Sequence, residues 1–206
     1  FHRSVNFFNR IEQILNALKE IIKKQFSNSE IYSIFHSNKR ILLFLIEEKI
    51  LNLNKNIIQR IKKGTDKYKT SQFLEPEIQK VENNIQNKMS EEEFKKFNEK
   101  RKKGENDDEL CILIQNDLIE EFIIFVNKYD ISLNITIENS IFETNLYLIE
   151  NPPTLIQYAA FFGSIQIFKY LYLNDAEYDN SLLFFAIHGD NPEIIHLLEE
   201  KNISPS

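Results

Sequence analysis

A chain of 206 residues with 42% hydrophobic residues, 17 of them Phe, has ample material for a buried core, which excludes a disordered segment. No apolar run reaches the ~18–20 residues of a membrane-spanning helix. Cys111, the single cysteine, can form no internal disulfide and fits an intracellular compartment, cytoplasmic or nuclear.

The net charge of −6 conceals two opposite halves. Residues 1–104 carry 22 Lys/Arg against 13 Asp/Glu, a net +9, whereas residues 105–206 carry 3 against 18, a net −15. In the basic half, Phe7, Phe8, Ile11, Ile14, Leu15, Leu18, Ile21 and Ile22 recur at helical spacing and predict a helix over residues 4–24. Ser27, Asn28 and Ser29 break it, and a short helix follows over 31–35. A helix capped by Ser37 and running to residue 50 is apolar on more than one face and expected to be buried. A further helix over 54–63 stops at Gly64, residues 65–75 read as a loop, and Pro76 opens a helix over 76–88. Ser90 with Glu93 forms a capping box. The helix it opens runs from acidic Glu91–Glu93 to basic Lys100–Lys103, matching the helix dipole at both ends. Its thin apolar stripe (Met89, Phe94, Phe97) predicts an exposed connector ending at Gly104, with a domain boundary near residue 105.

The acidic half repeats itself. Residues 154–173 and 181–200 align at an offset of 27, with Leu155/Leu182, Ala159/Ala186, Ile167/Ile194 and Leu171/Leu198 identical. Thr154 and Ser181 both suit a helix N-cap. The chain has only five alanines and four glycines, yet Ala159, Ala160, Ala186, Gly163 and Gly189 all fall inside these copies. Small residues there let helices approach closely, and a corner glycine can take positive φ. A weaker third copy spans 108–128, with a polar corner at Gln115, Asn116 and Asp117. Residues 131–150 between them are irregular, with one expected helical turn at 140–145. One helix pair cannot bury its own apolar face, so such repeats must stack. The fold class is therefore all-α: a helical N-terminal region over 1–104 leading into a repeat solenoid over 105–206. Phe1 in place of an initiator Met, and the lack of a polar closing face, lead us to expect a segment of a longer protein.

The run Thr154-Leu-Ile-Gln-Tyr-Ala-Ala-Phe-Phe-Gly163 resembles the ankyrin helix-turn-helix signature, with Ile167, Phe168 and Leu171 in the outer-helix places. Segments from Gly104 through 140–145 to Ile195 resemble, more particularly, a divergent protist family of ankyrin-repeat proteins that carries a domain of unknown function. That resemblance implies an interaction surface and brings no catalytic residues. The chain departs from the signature in its period of 27, in Leu155 and Gln157 where Pro and His stand, and in Gly189 one residue early. Seven residues, 174–180, leave little room for a β-hairpin finger between the strong copies.

No catalytic, cofactor or metal pattern is present: four isolated glycines make no phosphate loop, and neither His-Glu-x-x-His nor paired cysteines occur. His188 and His196 lie on different helices with no group to complete a site. The expectation is a non-catalytic protein-binding module, with no small-molecule substrate. In the ankyrin pattern Tyr158, Phe161, Phe162, Phe185 and His188 would face a concave surface as partner anchors. The alternative is that neighbouring segments cover them as core. A second functional reading places nucleic acid or another anionic surface on Lys62, Lys63, Lys67, Lys69, Lys95, Lys96 and Lys100–Lys103. It is disfavoured, because acids and asparagines interrupt the lysines and no recognition helix is evident. A purely structural scaffold role is a third reading.

Overall fold

The structure, a computed structural model, describes residues 2–64, 66–82 and 89–200. It is all-helical, with no strand among the described residues. The chain forms two compact units, one of residues Phe1–Glu105 with Ser140–Ile149, the other of Asn106–Asn139 with Glu150–Ser206.

The first unit contains α1 (His2–Ala17), α2 (Lys19–Gln25), α3 (Asn28–Phe35), α4 (Lys39–Glu47) and α5 (Lys55–Lys63). A 3-10 turn (Asp66–Tyr68) follows, then α6 (Thr70–Phe73), α7 (Glu75–Glu82) and α8 (Glu91–Lys103). Several boundaries differ from expectation for local reasons. The helix expected over 4–24 is broken at Leu18. Ser27 does more than break a helix: with Glu30 it forms a capping box that starts α3. Asn38, rather than Ser37, caps α4, its side chain accepting from the Ile41 amide at 3.0 Å. The loop expected over 65–75 contains α6, whose Phe73 is fully buried. Positions 83–88 of the helix expected over 76–88 lie outside the described residues. The core runs through Leu42, Leu45, Ile57, Ile58, Phe73 and Ile78, with Ile141 packed on it from the distant 140–149 segment.

The helix α8 is not an exposed connector. Its Ser90 capping box and the left-handed Gly104 at its end form as expected, but Arg101 is buried. The Arg101 guanidinium donates to Glu77 at 2.8 and 3.1 Å and to the Phe73 carbonyl at 3.1 Å, beside the rings of Phe73 and Phe97. A planar fork satisfied on this many donors anchors the last turn of α8 to α6 and α7. The 140–149 segment joins at the same end: Thr144 donates through its amide and hydroxyl to the Gly104 carbonyl, at 3.0 and 2.9 Å. No helical turn forms at 140–145; the helix of this region is α11 (Leu146–Glu150).

The second unit holds three helix pairs: α9 (Glu109–Gln115) with α10 (Ile119–Lys128), α12 (Leu155–Phe162) with α13 (Ile165–Leu173), and α14 (Leu182–Gly189) with α15 (Pro192–Glu200). The first helices form one row, α12 lying between α9 and α14; the second helices form another, α13 lying between α10 and α15. The four residue identities shared by the strong copies mark the core itself: Leu155, Leu182, Ala159, Ala186, Ile167, Ile194, Leu171 and Leu198 are all fully buried. Each pair turns its corner through one left-handed residue, Asp117, Gly163 and Asp190. These corners also align the weak copy, whose N-cap Asp108 and corner Asp117 match Thr154 and Gly163 at an offset of 46. The offset departs from 27 because residues 131–153 intervene.

Two substitutions test the first unit. Replacing Arg101 by Ala strands the partly buried Glu77 carboxylate, and we expect a loss of about 2–4 kcal/mol in chemical denaturation. Lys39 is also buried, its Nζ donating to the Tyr68 carbonyl at 3.0 Å, and desolvation lowers its pKa to about 7 despite the opposing pull of Glu143. The unfolded lysine titrates near 10.4, so between about pH 7 and 10 the unfolded chain binds more protons and stability rises with pH. The stability difference between wild type and Lys39→Met should therefore move in favour of the wild type from pH 7 to 9.5. A flat difference would show that the ammonium is not desolvated in the fold.

Candidate interaction surface

The five aromatic and histidine residues expected on a concave face have three different fates. Tyr158 and Phe185 are core, 1% and 2% exposed, which corrects the expectation that they stand free as anchors. The cause is the central position of α12: with α9 and α14 on either side and α13 behind, residues 155–160 are buried around the whole helix circumference. The Tyr158 hydroxyl accepts from the buried Gln115 Nε2 at 2.8 Å, and Gln115 also donates to the Asn106 carbonyl. A buried hydroxyl with a partner is a core group, not a docking group. Phe185 turns toward α12, its ring 6.5 Å from that of Phe161.

Phe161 and Phe162 are half-buried, and His188 is exposed. Phe161 lies edge-on to Phe162 at 5.3 Å and is stacked with the His188 ring, 5.3 Å away at 21°. Phe162 in turn packs on Tyr158 at 4.7 Å. The result is an aromatic seam across the ends of α12 and α14, partly open to solvent and anchored to the core below.

Polar groups at the corners connect the pairs. The Asp117 carboxylate accepts from the Gln166 and Ile167 amides, both at 3.0 Å, and so caps the N-terminus of α13 from the preceding pair. The buried Ser164 hydroxyl donates to the Ile114 carbonyl, and Asn191 Nδ2 donates to the Gly163 carbonyl at 2.9 Å. At the starts of the first helices, Gln157 accepts from the Thr154 amide at 2.8 Å and donates to Ser181 Oγ at 2.9 Å. Ser181 stands at the N-cap of α14 without capping it, since its hydroxyl serves Gln157 and Asp179 instead. Sequence reasoning marked Gln157 as a departure and missed this bridge. The polar corner 115–117 was its visible signal for Asp117.

Gly189 has a different job from the one its sequence position suggested. The left-handed corner falls on Asp190, and Gly189 still belongs to α14. A Cβ there would stand 2.0 Å from the Ala160 carbonyl oxygen and 3.0 Å from the Gly163 nitrogen. Its one-residue shift against Gly163 thus reflects backbone contact between α12 and α14, while Gly163 itself carries positive φ, 68°.

Elsewhere on this unit a groove of about 350 Å³ is lined by Asp108, Glu109, Leu110, Phe125, Tyr129, Ile131 and Ile135. Its polar side chains are those of Asp108, Glu109 and Tyr129, and Asp108 Oδ1 accepts from the Leu110 amide at 2.9 Å as the N-cap of α9. Among the described residues no three His, Cys, Asp or Glu side chains are grouped to hold a metal, and no helix is long and apolar enough to cross a membrane. Four of the lysines considered for an anionic surface have partners within the first unit. Lys62 pairs with Glu82 at 2.7 Å, Lys96 with Glu92 at 2.8 Å and Lys103 with Glu105 at 3.1 Å, and Lys100 lies over the Phe142 ring.

No protein-family model matches the chain, and comparison with curated proteins and with solved structures returns no match.

The α12–α14 contact is directly testable. Gly189→Ala forces a methyl into the Ala160 carbonyl, and we expect a loss of about 2–3 kcal/mol, against a few tenths for an alanine at the exposed helix position Glu199.

Proposed function

We propose that the second unit is an ankyrin-like helical-repeat array and that the protein is a non-catalytic, intracellular protein-interaction module. The observation that carries this reading is the aromatic seam of Phe161, Phe162 and His188, half-open on a surface whose underside is fully packed. Aromatic side chains held rigid by a core lose little entropy on docking and dominate interface energetics. The charge of the unit, 3 Lys/Arg against 16 Asp/Glu, favours a basic partner surface around that seam. The similarity of residues 154–163 to the ankyrin signature and the two-row arrangement of helix pairs support the same conclusion. Tyr158 and Phe185 serve it indirectly, by holding α12 and α14 in place.

The test is capture from the source cell's lysate by the full chain, beside a Phe162→Gln/His188→Glu variant whose melting is matched to the wild type. A protein retained by the wild type and reduced at least tenfold on the variant is the expected outcome. Equal retention by both, or retention only of nucleic acid that washes off steeply with salt, would contradict the seam as the site.

A further inference from the structure

The groove at the first helix pair of the second unit has a chemistry that the seam does not use. Buried Leu110 forms its floor, half-buried Phe125 and Ile131 with Ile135, 37% exposed, form its apolar walls, and Tyr129 lines it while 55% exposed. The charged side chains of its lining are two exposed carboxylates, Asp108 and Glu109. Capping of α9 uses only Oδ1 of Asp108, and the Glu109 side chain is engaged by no other described residue.

Local bonds hold these walls in place. Left-handed Asp130, φ 50°, turns the chain after α10, and the Ile131 amide donates back to the Val126 carbonyl at 3.0 Å. Asn134 Oδ1 accepts from the Glu177 amide at 2.9 Å, which ties the 131–135 wall to the loop before α14. The Phe125 and Tyr129 rings pack on each other, 4.7 Å apart at 56°. A site built in advance loses less ordering entropy when it is filled.

Size and charge select the occupant. A volume of about 350 Å³ lies at the small end of ligand sites, about 300–1,000 Å³, and suits one long side chain. Apolar walls match an aliphatic stem, and the carboxylates match a positive head that donates hydrogen bonds. Because the two rings touch, they make one wall and not the opposed sides of a cage. A quaternary ammonium, with no N–H for the carboxylates, is therefore the poorer fit. The Tyr129 ring already takes a primary ammonium, since Lys128 Nζ lies over it, 4.9 Å from its centroid. The field of the whole unit, 16 Asp/Glu against 3 Lys/Arg, attracts cations to it.

We propose that this groove is a second docking site, which takes a lysine side chain from a basic segment of a partner protein. The stem lies along Ile131 and Ile135, and the ammonium meets Glu109, Asp108 and the Tyr129 ring. The site takes its protein occupant from the interaction-module reading, but none of its residues belongs to the seam.

The test follows amide chemical shifts of the full chain with the peptide acetyl-Leu-Lys-Leu-amide, added to about 10 mM because a single side-chain site binds weakly. Saturating shifts are expected at Leu110, Tyr129, Ile131 and Ile135, and not at Phe161, Phe162 or His188. Norleucine or trimethyllysine in place of the lysine should weaken binding about threefold or more, and glutamate should abolish it. Glu109→Gln and Tyr129→Leu should each weaken the lysine peptide about threefold. Lys128→Met should strengthen it about twofold, since a like charge leaves and the ring is uncovered. Opposite signs from neighbouring exposed residues are not what a structural role produces. Should Tyr129→Leu perturb the fold, Glu109→Gln and Lys128→Met carry the test. Shifts that stay linear or fall elsewhere overturn the proposal, and so does a norleucine or glutamate peptide that binds as well as lysine. The seam variant Phe162→Gln/His188→Glu should bind the peptide as the wild type does, so failure of the seam and failure of the groove are read separately.

Discussion

The second unit depends on how closely α14 can lie against α12. Where Gly189 faces the Ala160 carbonyl there is no room for a single methyl group. At that distance Ala159, Ala160 and Ala186 fit between helices with no exposed surface left, and Gln157 can reach the Ser181 hydroxyl of the next pair. The close approach, with α9 and α13 on the other sides, buries residues 155–160 of α12 and makes Tyr158 and Phe185 core, while Phe161 and Phe162 stay half-buried and His188, like Phe184, is exposed. One backbone contact thus decides which aromatics stabilise the array and which can recognise a partner.

The first unit is held differently. Its chain is rich in lysine, and two of its cations are taken out of water. Arg101 is accommodated by the Glu77 carboxylate and the Phe73 carbonyl. Lys39 has a backbone carbonyl and only partial help from Glu143, so its ammonium is disfavoured. Both groups lie against Phe73, on a four-residue helix with no sequence signal of its own. Residues 140–149, which interrupt the series of helix pairs, complete this unit through Ile141 and Thr144. The interruption is the physical reason that the weak copy lies 46 rather than 27 residues from the next.

Local signals in the sequence carried far where chemistry is local. The capping box at Ser90, the helix end at Gly104, and the cores of the strong copies were all legible, because caps and identical apolar positions are set by residues a few places apart. The long-range consequences were not. The resemblance to the ankyrin pattern offered an open face for Tyr158, with core as the alternative, but a local pattern has no information about how many neighbours α12 acquires. A thin apolar stripe marked α8 as exposed, but a guanidinium can be buried when a carboxylate and a carbonyl converge on it, and those come from α6 and α7. Gly189 was recognised as a small residue out of register, and only the packing distinguishes a close approach from a turn.

The claim at the centre of this account is the Gly189–Ala160 contact, and a nuclear Overhauser measurement on the full chain reaches it most directly. The α-proton of Gly189 that points where a side chain would begin should show a strong cross-peak to the Gly163 amide proton. Such a peak, together with helical shifts for residues 155–162 and 182–189, is the result the account requires. The same helical shifts without that cross-peak would mean that α12 and α14 form but do not touch through their backbones. The burial of Tyr158 and Phe185, and the seam defined by their burial, would then have to be abandoned.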